Sequence, residues 1–284
     1  MKMYQRGYEL NFAPFGLAKK SRTILCGDLP LSEYEPVVTD EVVTVTFLRG
    51  TMIWLDIISS ISAGTAPHLL PHHSSIIASN AHTKLEDIMG CKSWVMLQIG
   101  RIAQLYEHKT KVLQTALFDY TELDRTAIDI SWEIQCGLTG LECLDISQRN
   151  STTIPSTNTD AATLVTRAFT YMAFIYLHLV THGFQQLDLL DTAVSGAMIM
   201  FQTQIPVHLL SALVCPLFII GSVARQGDEQ FFRHTLSSPP LQDPSRQHRQ
   251  RILPILEEIW SRRQTTPGFT WKEILDLTHS ILLI

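Results

Sequence analysis

Residues His208–Arg225, HLLSALVCPLFIIGSVAR, decide the fold. No Asp, Glu, Lys or Arg lies between the two ends of this stretch, so it must be buried either in protein or in lipid. Leu209–Ala224 is close to the shortest apolar run that crosses a bilayer, because a membrane-spanning helix needs roughly 17–25 residues. Pro216 lies within the run, and no basic cluster flanks it to set an orientation. We therefore predict a buried core helix, with a membrane span as the alternative.

Helix signals lie on both sides of this stretch. Upstream, AATLVTRAFTYMAFIYLHLVTHG follows Asp160, a residue suited to an N-cap, and ends at Gly183, a residue suited to a C-cap. This segment is apolar on most faces, so it too must be covered by neighbours or by lipid. Downstream, Thr270 and Glu273 have the spacing of a capping box at the start of the last helix. We find no alternating strands joined by hairpin turns and no fixed repeat, which predicts an all-α, multi-helix fold.

Four more helices are predicted from their apolar spacing. The first follows a possible cap at Asp40 and stops at Gly64, although the β-branched residues at its start favour a strand. The next two cover 74–90 and 92–109, and Pro71–Ser74 before them is predicted to be an exposed turn. In DPSRQHRQRILPILEEIWSRR, Asp243 can cap, Pro244 suits the first helical position, and Pro254 is expected to kink the helix.

The chain divides into two parts in this interpretation. Residues 1–40 form an N-terminal segment without a clear pattern, and residues 41–284 form one domain. Residues 146–160, ISQRNSTTIPSTNTD, are rich in Ser, Thr and Asn and are predicted to be an exposed loop.

Composition excludes several classes of function. Of the 284 residues, 45% are hydrophobic and 17% are charged, and the net charge of -5 gives no overall attraction to nucleic acid or to anionic lipid. The five cysteines are scattered and never form C-x-x-C, which predicts reduced thiols rather than a disulfide scaffold or a zinc ribbon. Nucleophile elbows, phosphate loops and dinucleotide fingerprints are absent from the sequence, so we predict no enzyme and assign no catalytic, cofactor-binding or metal residue.

Three patterns in the sequence have residue types found in metal or acid–base sites. His178 and His182 have zinc-ligand spacing but no identifiable third ligand, and His182 is better explained as an imidazole whose positive charge favours a helix C-terminus. Asp188 and Asp191 could hold magnesium but suit the start of a helix better. Asp56 lies among apolar neighbours, where an unpaired carboxylate is costly, so we predict a structural anchor with hydrogen-bond or ion-pair partners.

A group of arginines near the C-terminus is the remaining pattern, and it comprises Arg246, Arg249, Arg251, Arg262 and Arg263. These side chains could meet phosphate, but Glu257 and Glu258 dilute their charge. We therefore predict a solvated charged face.

Several ordered blocks of sequence resemble one known family. They are MIWLDIISSISAGTAPHLL, LEDIMGCKSWVMLQIGRIAQL, FIYLHLVTHGFQQLDLLDTAVSGAMIMFQ, QIPVHLLSALVCPLFIIGSVARQGDEQFFRHTL, RILPILEEIWSRR and FTWKEILDL. Together they resemble the C-terminal regulatory region of fungal-specific transcription factors of the zinc binuclear-cluster type, from roughly Val42 to Ile284. One departure is Cys215-Pro216, where relatives often carry Trp-Pro, and we expect it to alter packing rather than chemistry.

The resemblance implies a regulatory domain that acts in transcription by RNA polymerase II in the nucleus. Its implied partners are the transcription machinery or a DNA-binding family member. The resemblance implies that DNA is contacted only indirectly and that no membrane is involved. It leaves open a homo- or heterodimer and a small-molecule effector. Family members bind zinc and DNA through a six-cysteine cluster, spaced C-x2-C-x6-C and repeated. That spacing is absent here, so we expect no zinc in this chain and a sequence that begins inside the regulatory region.

Two alternatives from other classes stay open at this point. One is an all-α enzyme or ligand-binding protein with an apolar cavity near Met198–Phe218. The other is a membrane-associated protein anchored by Leu209–Ala224.

Overall fold

The structure, a computed structural model, describes residues 40–79, 84–114, 120–150, 161–243, 245–279 and 281–284, with only the backbone at 40, 78–79, 120 and 144–150. All regular secondary structure in these ranges is helical, as predicted. The α-helices are α1 (Asp40–Ala63), α2 (Leu70–Ser79), α3 (Leu85–Met89), α4 (Ser93–Leu113), α5 (Tyr120–Asn150), α6 (Ala161–His182), α7 (Asp191–Thr203), α8 (Val214–Ser222), α9 (Glu229–Leu236), α10 (Ile252–Thr265) and α11 (Trp271–Thr278). Short 3₁₀ helices cover Leu187–Leu190, Val207–Ala212 and Gln247–Arg251.

Helix α6 lies at the centre of the described fold. It contacts α4, α5, α7 and α8, and most of its residues are buried, as a helix that is apolar on most faces requires. It ends at Gly183, whose φ of 65° is the left-handed conformation that glycine adopts without strain. The last carbonyls of α6 accept hydrogen bonds from Lys109 Nζ, at 2.8 Å from Val180 O and 2.9 Å from Thr181 O. A lysine from α4 therefore supplies the positive charge at this helix end.

The stretch His208–Arg225 is divided between two helices. The 3₁₀ helix Val207–Ala212 has no buried residue, and after Leu213 helix α8 runs to Ser222 with every residue buried. Because Leu209–Ala224 is not one continuous helix, the membrane span predicted there as an alternative is wrong, and the buried-core prediction is confirmed for residues 213–224. Cys215 is also buried, and its Sγ lies 3.5 Å from Met172 Sδ of α6.

In the part of the chain that the structure describes, two other helices are long and apolar enough to cross a membrane. Ala161–His182 is 78% buried within the domain, as expected of a core helix. Glu41–Ala63 is only 22% buried, because the first half of α1 has few covered side chains.

The C-terminal end of α8 is held by side chains of α10. Trp260 Nε1 donates to Gly221 O at 2.8 Å, and Arg263 Nη1 donates to Ser222 O at 2.8 Å and to Ala224 O at 3.0 Å. These bonds satisfy carbonyls that a helix end leaves without intrahelical partners. The prediction of a solvated face is therefore wrong for Arg263.

The segment Pro71–Ser74 is helical, so its prediction as an exposed turn is wrong. Pro71 is the second residue of α2, where a helix does not need the N–H that proline lacks. His73 is fully buried, and the predicted helix over 74–90 is replaced by α2 and α3, with residues 80–83 outside the described ranges.

The entry to α10 also differs from the prediction. Asp243 caps no helix: its Oδ1 accepts a hydrogen bond from Ser245 N at 2.9 Å, and the chain then forms the 3₁₀ helix Gln247–Arg251. Pro244 lies outside the described residues. Pro254 is the third residue of α10, in the first turn, where it removes no intrahelical hydrogen bond and so gives no reason for a kink.

Helix α5 is long and was not predicted. It continues to Asn150, five residues into the stretch 146–160 for which we predicted a loop, and residues 151–160 lie outside the described ranges, as do Asp160 and residues 1–39. It packs against α4 and α6. Gly137 allows this approach, because a Cβ there would collide with the Trp94 ring of α4.

Candidate functional site

A cavity of about 320 Å³ opens where the first, middle and last parts of the described domain meet. Helices α1, α3 and α6, two 3₁₀ helices and the last residues of the chain all contribute to its walls. The lining residues are Trp54, Ile58, Met89, Phe169, Ser211, Ala212, Arg246, His248, Arg249, Leu283 and Ile284.

One side of the cavity is apolar and belongs to the core. Ile58 of α1, Phe169 of α6 and Leu283 have exposed fractions of 2% or less. Because these side chains are packed from behind, they give the cavity a fixed shape. Trp54 adds an aromatic surface suited to a planar apolar group.

Three basic residues also line the cavity and form its basic side, and Arg249 is the most buried of them. This side chain is only 8% exposed. Its Nε donates to Ile284 O at 2.9 Å and its Nη2 to Ser211 O at 3.0 Å, while Nη1 is buried with no acceptor among the described residues. Burial lowers the pKa of the Arg249 guanidinium, and the charge of Arg246 lowers this pKa further. The prediction of a solvated face is therefore wrong for Arg249 as well.

Two further basic residues complete this side. The guanidinium of Arg246 is exposed, and the His248 Nε2 lies 3.3 Å from Ile284 O. The described lining contains no Asp or Glu side chain. Asp243 acts electrostatically on Arg249 from outside the lining. The cavity therefore combines apolar walls with positive charge, an arrangement that can bind an anion carrying an apolar body.

Asp56 is the structural anchor that its apolar surroundings predicted. Its Oδ1 accepts a hydrogen bond from His68 N and its Oδ2 one from Leu69 N, both at 2.9 Å, so it satisfies N–H groups just before α2. The buried His73 Nε2 lies 3.1 Å from Asp56 Oδ2. Burial lowers the pKa of His73, although Asp56 opposes this shift.

The His178 and His182 side chains contact each other and nearby groups of the chain. The rings stack with centroids 4.9 Å apart, His178 Nε2 lies 2.8 Å from Gln185 O, and His182 Nδ1 lies 2.7 Å from Thr181 Oγ1. Burial, with the nearby His178 and Lys109, lowers the pKa of His182. His182 lies in the last turn of α6, as predicted, and Lys109 places a second basic group at the same helix end. In the described ranges, no three His, Cys, Asp or Glu residues form a group that could hold a metal ion.

Asp188 and Asp191 lie where helices start. Asp188 is in the first turn of the 3₁₀ helix Leu187–Leu190, and Asp191 is the first residue of α7 and pairs with Arg225. The apolar cavity predicted near Met198–Phe218 corresponds only in part to the one described, which takes Ser211 and Ala212 from that stretch.

Comparison with known proteins identifies relatives for most of the chain. A family model described as the fungal specific transcription factor domain matches residues 31–284. The chain is 44% identical, over 94% of its length, to "Pestheic acid cluster transcriptional regulator 3" of Pestalotiopsis fici. It is 26% identical, over 80% of its length, to "Transcription factor dibT" of Pestalotiopsis microspora, and 24% identical, over 81%, to "Trichothecene biosynthesis transcription regulator TRI10" of Fusarium sporotrichioides.

These relatives are longer than the present chain. The matches span 48%, 38% and 52% of their respective lengths, so the chain covers about half or less of each. No solved structure matches the fold.

Proposed function

The chain belongs to the fungal specific transcription factor domain family, and on that premise we propose that it is the regulatory part of a fungal transcription regulator. In this proposal it acts in the nucleus on transcription by RNA polymerase II, through a protein partner and a bound small molecule, and reaches DNA only through that partner. Two relatives carry names that refer to a metabolite cluster or a biosynthesis. The proposed targets are accordingly the genes of a biosynthetic cluster.

The cavity is the observation that carries this proposal. Its volume of about 320 Å³ lies at the lower end of the roughly 300–1,000 Å³ that small-molecule sites occupy. Its walls come from α1, α6 and the C-terminal residues, which are far apart in sequence. A ligand that bound there would favour the arrangement in which these parts are together, and so could shift the population of a regulatory state.

The first half of α1 supports a protein partner. Val43, Phe47, Leu48 and Met52 are 54–60% exposed, and their spacing places them on more than one face of the helix. Exposed apolar surface of this kind marks interaction sites. Since family members are transcription regulators, the proposed occupant is a DNA-binding relative or a component of the transcription machinery, and a membrane is the competing occupant that an experiment must exclude.

Charge supports indirect rather than direct contact with DNA. The net charge of -5 gives this chain no overall attraction to phosphate. Regulators of this family act by binding rather than by catalysis, and the proposal accordingly assigns no catalytic residue.

A tethering assay tests the proposal. We would fuse the full chain to an unrelated DNA-binding module in a fungal host and measure transcription from a reporter that carries the module's binding site. The fusion should change reporter output relative to the module alone. The variant Phe47→Asp with Met52→Asp should remove that change while its thermal melting stays close to wild type, because both side chains are exposed.

Three results would contradict the proposal. They are a reporter output equal to that of the module alone, a specific complex between the isolated chain and promoter DNA at physiological salt, and a chain that sediments with membranes in cell extracts.

A further inference from the structure

We propose that the cavity binds a small organic acid, with its anionic group at the side formed by Arg246, His248 and Arg249 and its apolar body against Trp54 and Phe169. This inference rests on the proposed function and specifies the chemical class of the effector.

The geometry of Arg249 is the first argument. A guanidinium presents five N–H donors, and this one has partners for Nε and Nη2 only, at Ile284 O and Ser211 O. A buried donor without an acceptor costs free energy, and among the described residues Nη1 has none. Nη1 is itself closed off from the cavity, so an anion there would be held by the charge of the Arg249 guanidinium rather than by a direct bond to Nη1.

The local charge is the second argument. The chain as a whole is acidic, with 27 Asp and Glu against 22 Lys and Arg. The described lining nevertheless places two guanidinium groups and an imidazole together with no Asp or Glu side chain, and the acceptor that His248 and Arg249 already share is a main-chain oxygen of Ile284. Basic groups in a concave, partly apolar site act in a lower dielectric than water, so their attraction for an anion is less screened than at an open surface.

The apolar walls are the third argument, because they distinguish an organic acid from an inorganic anion. Trp54, Ile58, Met89 and Phe169 line the same cavity as the basic residues. An inorganic phosphate or sulfate would leave this surface in contact with water. A ligand with an aromatic or acyl body would cover it and gain the corresponding hydrophobic stabilisation.

A pair of fluorescent probes with one skeleton tests the proposal. The anionic probe is 8-anilinonaphthalene-1-sulfonate, and the neutral probe is N-phenyl-1-naphthylamine, which lacks the sulfonate. Titrated into the folded full chain, the anionic probe should bind one site at least about tenfold more tightly, the factor that one hydrogen bond to a charged group provides. Added salt should weaken only the anionic probe.

Variants locate the site. Arg246→Gln should weaken binding of the sulfonate several-fold and leave the neutral probe unchanged, because Arg246 is exposed and is not needed for folding. Arg251→Gln is the matched control, since Arg251 ends the 3₁₀ helix that Arg246 precedes, is exposed and does not line the cavity. Arg249 is a poorer first choice because its bonds to Ser211 and Ile284 also support the fold.

The outcomes separate this inference from the function on which it rests. Equal affinity for the two probes, or equal weakening by Arg246→Gln and Arg251→Gln, would overturn the organic acid while leaving a small-molecule cavity in place. Absence of binding by either probe would overturn both the organic acid and the cavity as an effector site. The tethering assay reports on the regulatory role independently of all three results.

Discussion

Replacing Arg263 by methionine should lower the stability of the domain by about 3 kcal/mol. Arg263 Nη1 donates to Ser222 O at 2.8 Å and to Ala224 O at 3.0 Å, and its guanidinium lies 5.4 Å from the centre of the Phe184 ring. Methionine keeps much of the aliphatic stem but provides no donor. A hydrogen bond to a charged group contributes about 1.5–3 kcal/mol. We take the lower value for each of the two bonds, which gives about 3 kcal/mol in total. The lower value applies because one nitrogen makes both bonds and because Arg225, next to the end of α8, is exposed to water.

Urea unfolding followed by circular dichroism measures this effect. With an m-value of about 3 kcal/mol per molar urea, the midpoint should fall by about 1 M. Arg263→Lys should lie between wild type and Arg263→Met, because an ammonium retains the charge but cannot reproduce the donor geometry of a guanidinium.

The neighbouring Arg262 provides the control. It pairs with Glu258 at 2.6 Å on the exposed side of α10, and surface pairs of this kind contribute about 0–1 kcal/mol. The assignment of Arg263 as a cap of α8 is refuted by either of two results. One is that Arg262→Met lowers the urea midpoint as much as Arg263→Met does. The other is that Arg263→Met unfolds at the same urea concentration as wild type.

Three further predictions concern packing and pH. Leu217 is fully buried in α8, so Leu217→Ala should lower the free energy of unfolding by about 2–5 kcal/mol. Leu217→Asp should abolish the cooperative thermal transition, because it buries an unpaired charge. An Asp variant that melts like wild type would contradict the assignment of Leu217 to the core. Gly137→Ala should lower the melting temperature, because the added methyl group collides with the indole of Trp94. Gly140→Ala should raise stability by about 0.5–1 kcal/mol, because nothing lies within 4 Å of a Cβ at that position. Shifts of the same sign in the two variants would contradict the packing of α5. Burial lowers the pKa of His73 and of His178 in the folded chain, so the unfolded chain binds more protons as the pH falls through about 6.5. The free energy of unfolding, measured by urea titration, should therefore decrease between pH 7.5 and pH 5.5. If it stays constant across that window, these imidazoles protonate as readily in the folded state as in the unfolded state.

The helical fold could be predicted from the sequence because its signals are local. Apolar spacing placed α1, α4 and α6, Gly183 ended α6, and Thr270 with Glu273 formed the capping box that begins α11. Helix α5 was missed because its apolar and polar residues are nearly balanced and its pattern is weak. The turn predicted at Pro71–Ser74 failed because the partner that stabilises the start of α2 is Asp56, twelve residues or more earlier in the chain.

The cavity and its basic side could not be predicted for a related reason. Arg249 and Arg263 belong to one charged segment of sequence, and nothing in that segment distinguishes them from Arg251 or Arg262. Their roles depend on acceptors that are distant along the chain, 35 residues away for Arg249 with Ile284 and 41 for Arg263 with Ser222. The sequence by itself determined that the chain is helical, that most of His208–Arg225 is buried and that Asp56 needs partners, because burial and helix periodicity are encoded within a few turns. Only the tertiary structure decided which charged side chains cap helices and which line a cavity, because a hydrogen bond requires one particular partner within about 3 Å, and folding alone brings that partner there.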